Sequence, residues 1–377
     1  MPGGEGMPGP NTHRTVALGP RSEERRAFLK KIPGIAGTTI LATVLSGCAR
    51  SHARSSYPSF TFAASFKGDL YYPAIIAEQE GFYRDEGLRV SITYGFGGGD
   101  SLRLVAAGRL PINCAEAGES VALADHKGAG VSLICTYMVG ESNSLVSQPG
   151  IRSYKDLPQN ILLGVSNPYA SSTISALMLL KKGGIDLDRV TTVTVGSSIG
   201  RYAAVLARKV HVAAVILPFA VRAPVDGLHI LGSALDLAYP TVFISHSVND
   251  AWVNRSKENF DLAVRNTTAT LRGLHWGFAN KDKMIQWVEE VEKVPAQVAP
   301  HYYEVAFEGK RPIFSSDGKL LAKAWQNTFN ELQFAQELSP PFPAISQLQR
   351  DDIYEAAVKR LREVYRIELP PSAAEGA

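Results

Sequence analysis

Residues 60–94 read FTFAASFKGDLYYPAIIAEQEGFYRDEGLRVSITY. The two ends of this stretch, 60–65 and 89–94, are rich in aromatic, branched and small residues, which is the composition of a β-strand. Between them, 72–79 predicts a helix with Pro73 in its first turn, where the missing N–H is tolerated. A strand, a helix and a second strand in this order predict a βαβ unit with two parallel strands.

The same alternation continues along the chain. Further strands are predicted at 110–115, 131–137, 161–165, 191–195, 210–217 and 239–245. Helices are predicted at 100–107, 119–126, 171–182, 199–207, 255–278, 281–291, 319–338 and 350–365. Strands that alternate with helices predict an α/β fold, in which helices cover a mainly parallel sheet.

Length and composition restrict the class of protein. A chain of 377 residues is long enough for about two domains, and a hydrophobic share of 45% is too high for a disordered chain. No apolar run reaches the ~18 residues of a membrane-spanning helix, which excludes a polytopic membrane protein. The net charge of +3 is too small to indicate a nucleic-acid partner.

The chain has three cysteines, too few for a dense disulfide framework. Cys114 and Cys135 each lie in an apolar, strand-like run, so that buried free thiols are expected. A disulfide between the two in an oxidising compartment is the alternative.

The first 47 residues have the layout of an export signal, with a basic region, a mildly apolar region and then small residues. Arg25 and Arg26, followed by Phe-Leu-Lys, resemble a twin-arginine signal; a general-pathway signal and an uncleaved N-terminal helix are the alternatives. The apolar region ends in Leu-Ser-Gly before Cys48, which resembles a bacterial lipobox. We therefore expect a signal peptide over 1–47, a lipid on Cys48 and a polar tether over 48–57.

Cleavage before Cys48 would also change the charge of the protein. It removes six basic and three acidic residues, which leaves 33 of each sign. The mature chain would then be neutral, so that its link to the membrane is expected through the lipid and not through a polybasic surface.

Five loops follow predicted strands, and ligands of open α/β sheets bind beyond the carboxyl ends of strands, at helix N-termini. The five loops span residues 66–72, 95–101, 116–120, 166–173 and 196–198. They bring together charges, aromatic rings, hydroxyls and glycines, and aromatic rings can stack on a planar ligand. The predicted ligand-binding residues are Lys67, Asp69, Tyr71, Tyr72, Gly98, Gly99, Glu116, Glu119, Tyr169, Ser171, Ser172 and Ser197.

Two of these loops have alternative explanations. The glycines in 95–101 let backbone N–H groups approach a ligand, but the loop lacks the Lys-Ser/Thr of a phosphate loop. A turn with Asp100 as the N-cap of a helix is the alternative. Ser171 and Ser172 begin a helix whose free N–H groups would suit an anion, and a plain serine cap is the alternative there.

Signatures of catalysis are sparse. The sequence has neither a Gly-x-Ser-x-Gly elbow nor a His-Glu-x-x-His zinc motif, and its histidines are not spaced as metal ligands. No catalytic residue, metal or cofactor is therefore predicted. An enzyme that uses the same loops stays open as an alternative, and it would need a titratable pair such as Glu116 with Lys67 or a histidine.

The order of the motifs resembles a known family. The run YPAIIAEQEGFYRDEGL at 72–88 is similar to the first helix of nitrate/sulfonate/taurine-type (NMT1/THI5-like) periplasmic solute-binding proteins of ABC transporters. The similarity continues at 97–110, 116–120, 156–157, 164–166, 183–186, 195–198 and 215–220. It covers about residues 60–220 and depends on the order and spacing of the motifs.

The resemblance implies a type II periplasmic-binding-protein fold, with two α/β lobes, a hinge and a ligand cleft between them. Lobe 1 would comprise 58–143 and 240–370, and lobe 2 would comprise 147–238. The implied function is that of a lipid-anchored, extracytoplasmic monomer that captures a sulfonate, a pyrimidine-like or an aromatic solute and delivers it to the permease of an ABC importer. Two alternatives stay open. One is an enzyme of the pyrimidine-precursor synthase branch, whose cysteine-rich motif is missing from this sequence, and the other is a ligand sensor that docks to a different membrane protein.

Overall fold

The computed structural model describes residues 57–376, except 97, 117, 126, 127, 168 and 169. The expected signal peptide and Cys48 lie outside these residues, as does the tether apart from Tyr57. Among the described helices, none has the length and apolar character needed to cross a membrane.

The strands of the described chain belong to two lobes. In chain order they are β1 (Ser59–Ala64), β2 (Arg89–Tyr94), β3 (Ile112–Glu116), β4 (Val131–Thr136), β5 (Ser144–Ser147), β6 (Ile161–Val165), β7 (Val190–Thr194), β8 (Val212–Val215), β9 (His229–Ser233) and β10 (Ile244–Asn249). The first lobe contains the strand groups β1-β2 and β3-β10-β4, and the second contains one sheet in the order β7-β6-β8-β5-β9.

Helices cover these sheets. In chain order they are α1 (Tyr72–Gln79), α2 (Phe82–Asp85), α3 (Gly98–Ala106), α4 (Gly118–Asp125), α5 (Ser171–Lys182), α6 (Ser198–Leu206), α7 (Leu217–Arg222), α8 (Asp250–Val253), α9 (Lys257–Ala279), α10 (Lys281–Glu292), α11 (Ala299–Tyr303), α12 (Ala322–Phe334), α13 (Ile345–Leu348) and α14 (Asp351–Arg360). Short 3-10 turns lie at Asp69–Tyr71, Tyr154–Asp156, Leu187–Arg189, Ala234–Asp236 and Ala373–Gly376, and π-turns follow α11 and α14 at Glu304–Glu308 and Leu361–Tyr365.

The first lobe contains the βαβ unit that 60–94 predicts. β1 and β2 are parallel and pair along their whole length. β10 runs antiparallel between β3 and β4, so the chain returns to this lobe after it has built the second. The side chain of Asn113 on β3 joins the two strand groups through hydrogen bonds to the backbone of Ala63 on β1.

The second lobe has its own mixed sheet. β6 is parallel to both of its neighbours, β7 and β8, whereas β5 is antiparallel to β8 and β9. The helices α5 and α6 follow β6 and β7 along the chain. Their N-termini therefore lie at the carboxyl edge of the parallel strands, the edge where such sheets bind ligands.

Two crossing segments, residues 137–143 and 234–243, connect the lobes. They run side by side, since the N–H of Thr241 donates to the carbonyl of Val139 at 2.8 Å. Two α/β lobes joined by a pair of segments confirm the predicted fold class.

Long helix α9 packs very closely on α1 in the first lobe. A Cβ atom built on Gly273 would lie 2.0 Å from the carbonyl oxygen of Pro73, so only glycine allows the two helices to approach this far. One helical turn later, Gly277 leaves room for the ring of Tyr72, which is buried between α9 and the aromatic residues Trp287, Phe307 and Phe314.

Some predicted elements have different bounds in the structure. The predicted strand 239–245 is wrong at its start, because β10 begins at Ile244 and runs through the polar Ser-His-Ser-Val-Asn, all of it buried. The predicted strand 210–217 ends at Val215, and Pro218 then lies in the first turn of α7. The predicted helix 319–338 is shorter, and β9 had no counterpart among the predicted strands.

The Asp100 N-cap is also wrong. Helix α3 already begins at Gly98, so that Asp100 lies inside its first turn. There the carboxylate pairs with Arg103, one turn further along the same helix.

Cys114 and Cys135 are free, buried thiols, as the sequence predicts. The two residues lie on β3 and β4 and both pair with His246 on β10, from opposite sides. A whole strand therefore separates the two sulfur atoms, which prevents the alternative disulfide.

Candidate functional site

The candidate site lies where the crossing segments meet the carboxyl edge of the second lobe. Glu141 in the first crossing segment is only 5% exposed. Its Oε1 accepts a hydrogen bond from Asn143 Nδ2, and its Oε2 accepts one from Ser175 Oγ, both at 2.5 Å. Ser175 lies one turn into α5, and its Oγ also lies 2.7 Å from the carbonyl oxygen of Ser171, so that its one hydroxyl hydrogen is shared between two acceptors. Glu141 thus ties a segment between the lobes to a second-lobe helix, one turn beyond the start of that helix.

Several buried polar atoms in the crossing segments have no hydrogen-bond partner among the described residues. They are Ser142 Oγ, Asn143 Oδ1 and Thr241 Oγ1, and each of these side chains is 2% exposed. Buried polar groups in proteins are nearly always hydrogen-bonded, to protein or to water. These atoms are therefore positions at which a bound molecule could supply the missing partner.

In the first lobe, Asp69 is part of a buried acidic pair. Its backbone N–H donates to Glu292 Oε1 at 2.5 Å, and its Oδ2 accepts a hydrogen bond from the hydroxyl of Tyr302 at 2.8 Å. Its Oδ1 is buried without a partner among the described residues. Burial raises the pKa of Asp69 to about 6, and burial together with the neighbouring Asp69 raises the pKa of Glu292 to about 9. The pair therefore holds a proton at neutral pH.

Tyr71 and Tyr72 lie in the core of the first lobe. Both are 0% exposed. The hydroxyl of Tyr71 is 2.8 Å from Ser65 Oγ, and that of Tyr72 donates to the carbonyl of Leu274 at 2.8 Å. These contacts give both rings a packing role, and their assignment as ligand contacts stays a prediction.

The serines at the start of α5 are not plain caps. The N-cap of α5 is Ala170, which makes no side-chain cap hydrogen bond, so the alternative of a serine cap is wrong. Ser171 is half-buried in the first turn, and Ser172 is buried with its Oγ 3.1 Å from that of Ser166. Ser197, by contrast, caps α6, because its Oγ accepts the N–H of Gly200 at 3.3 Å.

The other predicted site residues are placed only in part. Lys67 is exposed in the loop after β1, and Gly98 and Gly99 lie in the first turn of α3. The remaining three are outside the described side chains: Glu116 at the end of β3, Glu119 in α4, and Tyr169. Nothing in the described chain tests these assignments, which stay predictions.

Sequence reasoning missed the polar residues of the crossing segments. The signal was present, because Glu141, Ser142 and Asn143 form a polar run between the apolar Val139 and Leu145. Burial of a carboxyl group costs free energy unless the group is paired or hydrogen-bonded. Hydrophobic packing therefore does not explain a glutamate in a buried segment, and its presence indicates a possible functional role.

The buried His246 and the two cysteines that pair with it are poorly suited to acid–base or nucleophilic catalysis. The Nδ1 of His246 is bonded to the hydroxyl of Tyr137, and its Nε2 lies 2.9 Å from Asn266 Oδ1. Burial lowers the pKa of His246 to about 4 and raises the pKa of Cys114 to about 12. No group of His, Cys, Asp and Glu side chains within the described ranges could hold a metal ion.

The fold is shared with solved structures of low sequence identity. The periplasmic nitrate-binding protein NrtA from Synechocystis PCC 6803 matches with a TM-score of 0.67 and 14% identity, over 85% of this chain and 92% of that chain. The periplasmic aliphatic sulphonate-binding protein SsuA from Escherichia coli matches with 0.58 and 14%, over 77% and 91%. The desulfurization enzyme DSZB matches with 0.59 and 15%, over 80% and 100%. These matches define the class by its fold, the type II periplasmic-binding-protein fold.

A family model described as NMT1/THI5 like matches residues 71–283, more than half of the chain. The chain therefore belongs to the NMT1/THI5-like family, as the motifs around 72–88 indicate. A search of curated proteins found no match.

Proposed function

We propose that the chain is an extracytoplasmic solute-binding protein that captures a small organic solute between its lobes and delivers it to the permease of an ABC importer. The observation that carries the proposal is the set of buried polar atoms without partners at the junction of the lobes, on Ser142, Asn143 and Thr241. A solute held there would supply their missing hydrogen bonds. The family and the binding proteins of the same fold support it.

The mechanism follows from the two crossing segments. They would act as the hinge between a first lobe of 58–143 and 240–370 and a second lobe of 147–238. A solute that contacts both lobes favours the closed arrangement, because only that arrangement makes both sets of contacts. A permease can then distinguish loaded from empty protein by the relative position of the lobes.

The test is capture of a solute from a complex mixture. The full chain is incubated with yeast extract, passed through a desalting column and analysed by native mass spectrometry, with small-angle scattering on the same sample. We expect one retained small molecule and a smaller radius of gyration. A chain that retains nothing and does not change its size would contradict the proposal.

We further propose that Cys48 carries a lipid and that the protein is a monomer on the outer side of the membrane. The support is the basic, apolar and Leu-Ser-Gly-Cys order of the first 48 residues. With the native signal in a bacterial host, the wild-type chain should partition with membranes and Cys48→Ala should not. If the wild-type chain and Cys48→Ala partition equally, Cys48 does not carry a lipid anchor.

An enzyme of the same fold is the second candidate, favoured by the match to DSZB. Turnover distinguishes this candidate from a binding protein, because an enzyme would convert a component of the extract into a different molecule and release it. A sensor would instead copurify with a membrane protein that is not a permease.

A further inference from the structure

The proposed hinge is short, because the first lobe holds one end of both crossing segments. Ile313 is buried in the core of the first lobe, and its carbonyl accepts hydrogen bonds from the N–H groups of Val139 and Gly140, at 2.9 and 3.2 Å. The N–H of Thr241 donates to the carbonyl of Val139 at 2.8 Å, so the second crossing segment is attached at the same place. Both segments are therefore fixed to the first lobe as far as Gly140 and Thr241.

The other end of both crossing segments is fixed to the second lobe. The turn Ala234–Asp236 directly follows β9, and its first N–H donates to the carbonyl of Asn143 at 2.9 Å. Lys182 of α5 donates to the last carbonyl of the same turn, which attaches the turn to a second-lobe helix. Rotation of the lobes is thus confined to the few residues between the two sets of bonds, 141–142 and 237–240.

Arg311 makes a contact from one side of this hinge to the other. It directly precedes the buried first-lobe segment, and its Nη1 donates to the carbonyl of Leu235, in the turn on the second-lobe side, at 2.8 Å. The side chain of Leu235 packs at the same point on Val139 and Tyr239, and the hydroxyl of Tyr239 donates to the carbonyl of Pro312 at 3.1 Å. A hydrogen bond tolerates only a small change in distance, so this one is kept only while the lobes hold the relative position seen here.

We propose that Arg311 is a positioning residue for solute capture, whose hydrogen bond to Leu235 stabilises the present arrangement of the lobes against rotation about the hinge. An interaction made in only one of two arrangements shifts the ratio of their populations by its own free energy. One hydrogen bond from an exposed arginine is expected to change that ratio about fivefold. The inference rests on the proposed solute-binding function, and it adds a residue outside the predicted ligand-binding loops that sets the balance between open and closed protein.

The test measures the distance between the lobes without any solute. In a Cys48→Ser chain, spin labels are attached to Glu80→Cys in the first lobe and Lys209→Cys in the second, two exposed positions, and double electron–electron resonance gives their distance distribution. Arg311→Ala should raise the share of other distances about fivefold relative to the main one, and Arg311→Lys, which keeps a charged donor, should restore part of the wild-type distribution. The matched control is Arg189→Ala, because Arg189 donates to two backbone carbonyls within the second lobe, and its distribution should equal that of the wild type.

Arg311 is exposed, so Arg311→Ala should keep the melting temperature of the wild type, and only the distance should change. A distribution equal to that of the wild type, or an equal change in Arg189→Ala, would overturn the inference. The labelled wild-type chain is also incubated with yeast extract and desalted, which tests the parent proposal separately. A distance that changes on capture but not in Arg311→Ala removes only the inference, whereas a chain that captures nothing and keeps its distance removes both.

Discussion

The side chain of Asn113 replaces a stretch of backbone pairing between β3 and β1. Its Oδ1 accepts the N–H of Ala63 at 2.8 Å, and its Nδ2 donates to the carbonyl of the same residue at 3.2 Å. Asn113 is 0% exposed, so neither group of Ala63 can turn to water instead. One amide thus joins the βαβ unit that begins the fold to the strands that flank the returning β10.

Replacement of this amide should be costly. In Asn113→Ala, the buried N–H and carbonyl of Ala63 both lose their partner, and each unsatisfied group costs about 1–3 kcal/mol. We expect the free energy of unfolding in urea to fall by at least about 2 kcal/mol. The exposed Asn330→Ala on α12 is the control, with an expected change below about 0.5 kcal/mol. Equal effects of the two substitutions would show that the bridge contributes nothing.

A second prediction concerns the contact between α9 and α1. Gly273→Ala would place a methyl group 2.0 Å from the carbonyl oxygen of Pro73, so the helices must separate and the packing around Tyr72 must loosen. We expect a loss of at least about 2 kcal/mol of unfolding free energy, the range of overpacked cores.

The matched control is Gly200→Ala in α6. Its Cβ would meet only the side chain of Ser197 at 3.2 Å and otherwise ordinary contacts. Alanine is favoured over glycine within helices, and the one tight neighbour is a side chain and not backbone, so this variant should lose far less stability than Gly273→Ala. A Gly273→Ala chain that is equally stable would mean that α9 and α1 adjust at no cost.

The sequence predicted the alternation of strands and helices because the apolar runs and the glycine and proline boundaries are local signals. It missed the strand at β10 in part, since Ser245, His246 and Ser247 are polar and yet buried. Their burial depends on partners from other elements, such as Asn266 on α9 for His246. Periodicity cannot show partners that are distant along the chain.

The candidate site was less predictable than the fold for the same reason. Loop positions could be named from strand ends, but Tyr72 gained its core position from helices that come about two hundred residues later. Glu141 and Ser175 meet only because the chain crosses between lobes and returns through α5. Aromatic content in a loop therefore cannot distinguish a ring that stacks on a ligand from a ring that packs in the core, as that of Tyr72 does.

The two thiols give a third prediction. Burial raises the pKa of Cys114 to about 12 and raises that of Cys135 well above its usual range, and the thiolate is the reactive form. In a Cys48→Ser chain, Ellman's reagent should label no cysteine in the native state and both in guanidinium chloride. Rapid labelling of the native chain would mean that the first lobe opens readily around β10.

The acidic pair of Asp69 and Glu292 makes stability depend on pH. Both folded pKa values are raised, so the native state keeps protons that the unfolded state releases at lower pH. The stabilisation that this pair contributes is then fully present below the ordinary carboxyl pKa of about 4 and is lost as the pH rises towards about 9. Glu292→Gln removes a large part of this dependence, because glutamine keeps the shape but has no proton to lose.

The measurement compares urea unfolding of the wild type and Glu292→Gln at pH 5 and pH 9, with Glu304→Gln as the exposed control. One pKa unit corresponds to about 1.4 kcal/mol, and we expect Glu292→Gln to gain at least that much over the wild type on going from pH 5 to pH 9. The ionisation of His246 and of the buried thiols is common to both chains and cancels in the difference. If the free energies of unfolding of the two chains change in parallel with pH, the carboxyl group of Glu292 is ionised in the native state. That result would contradict the prediction.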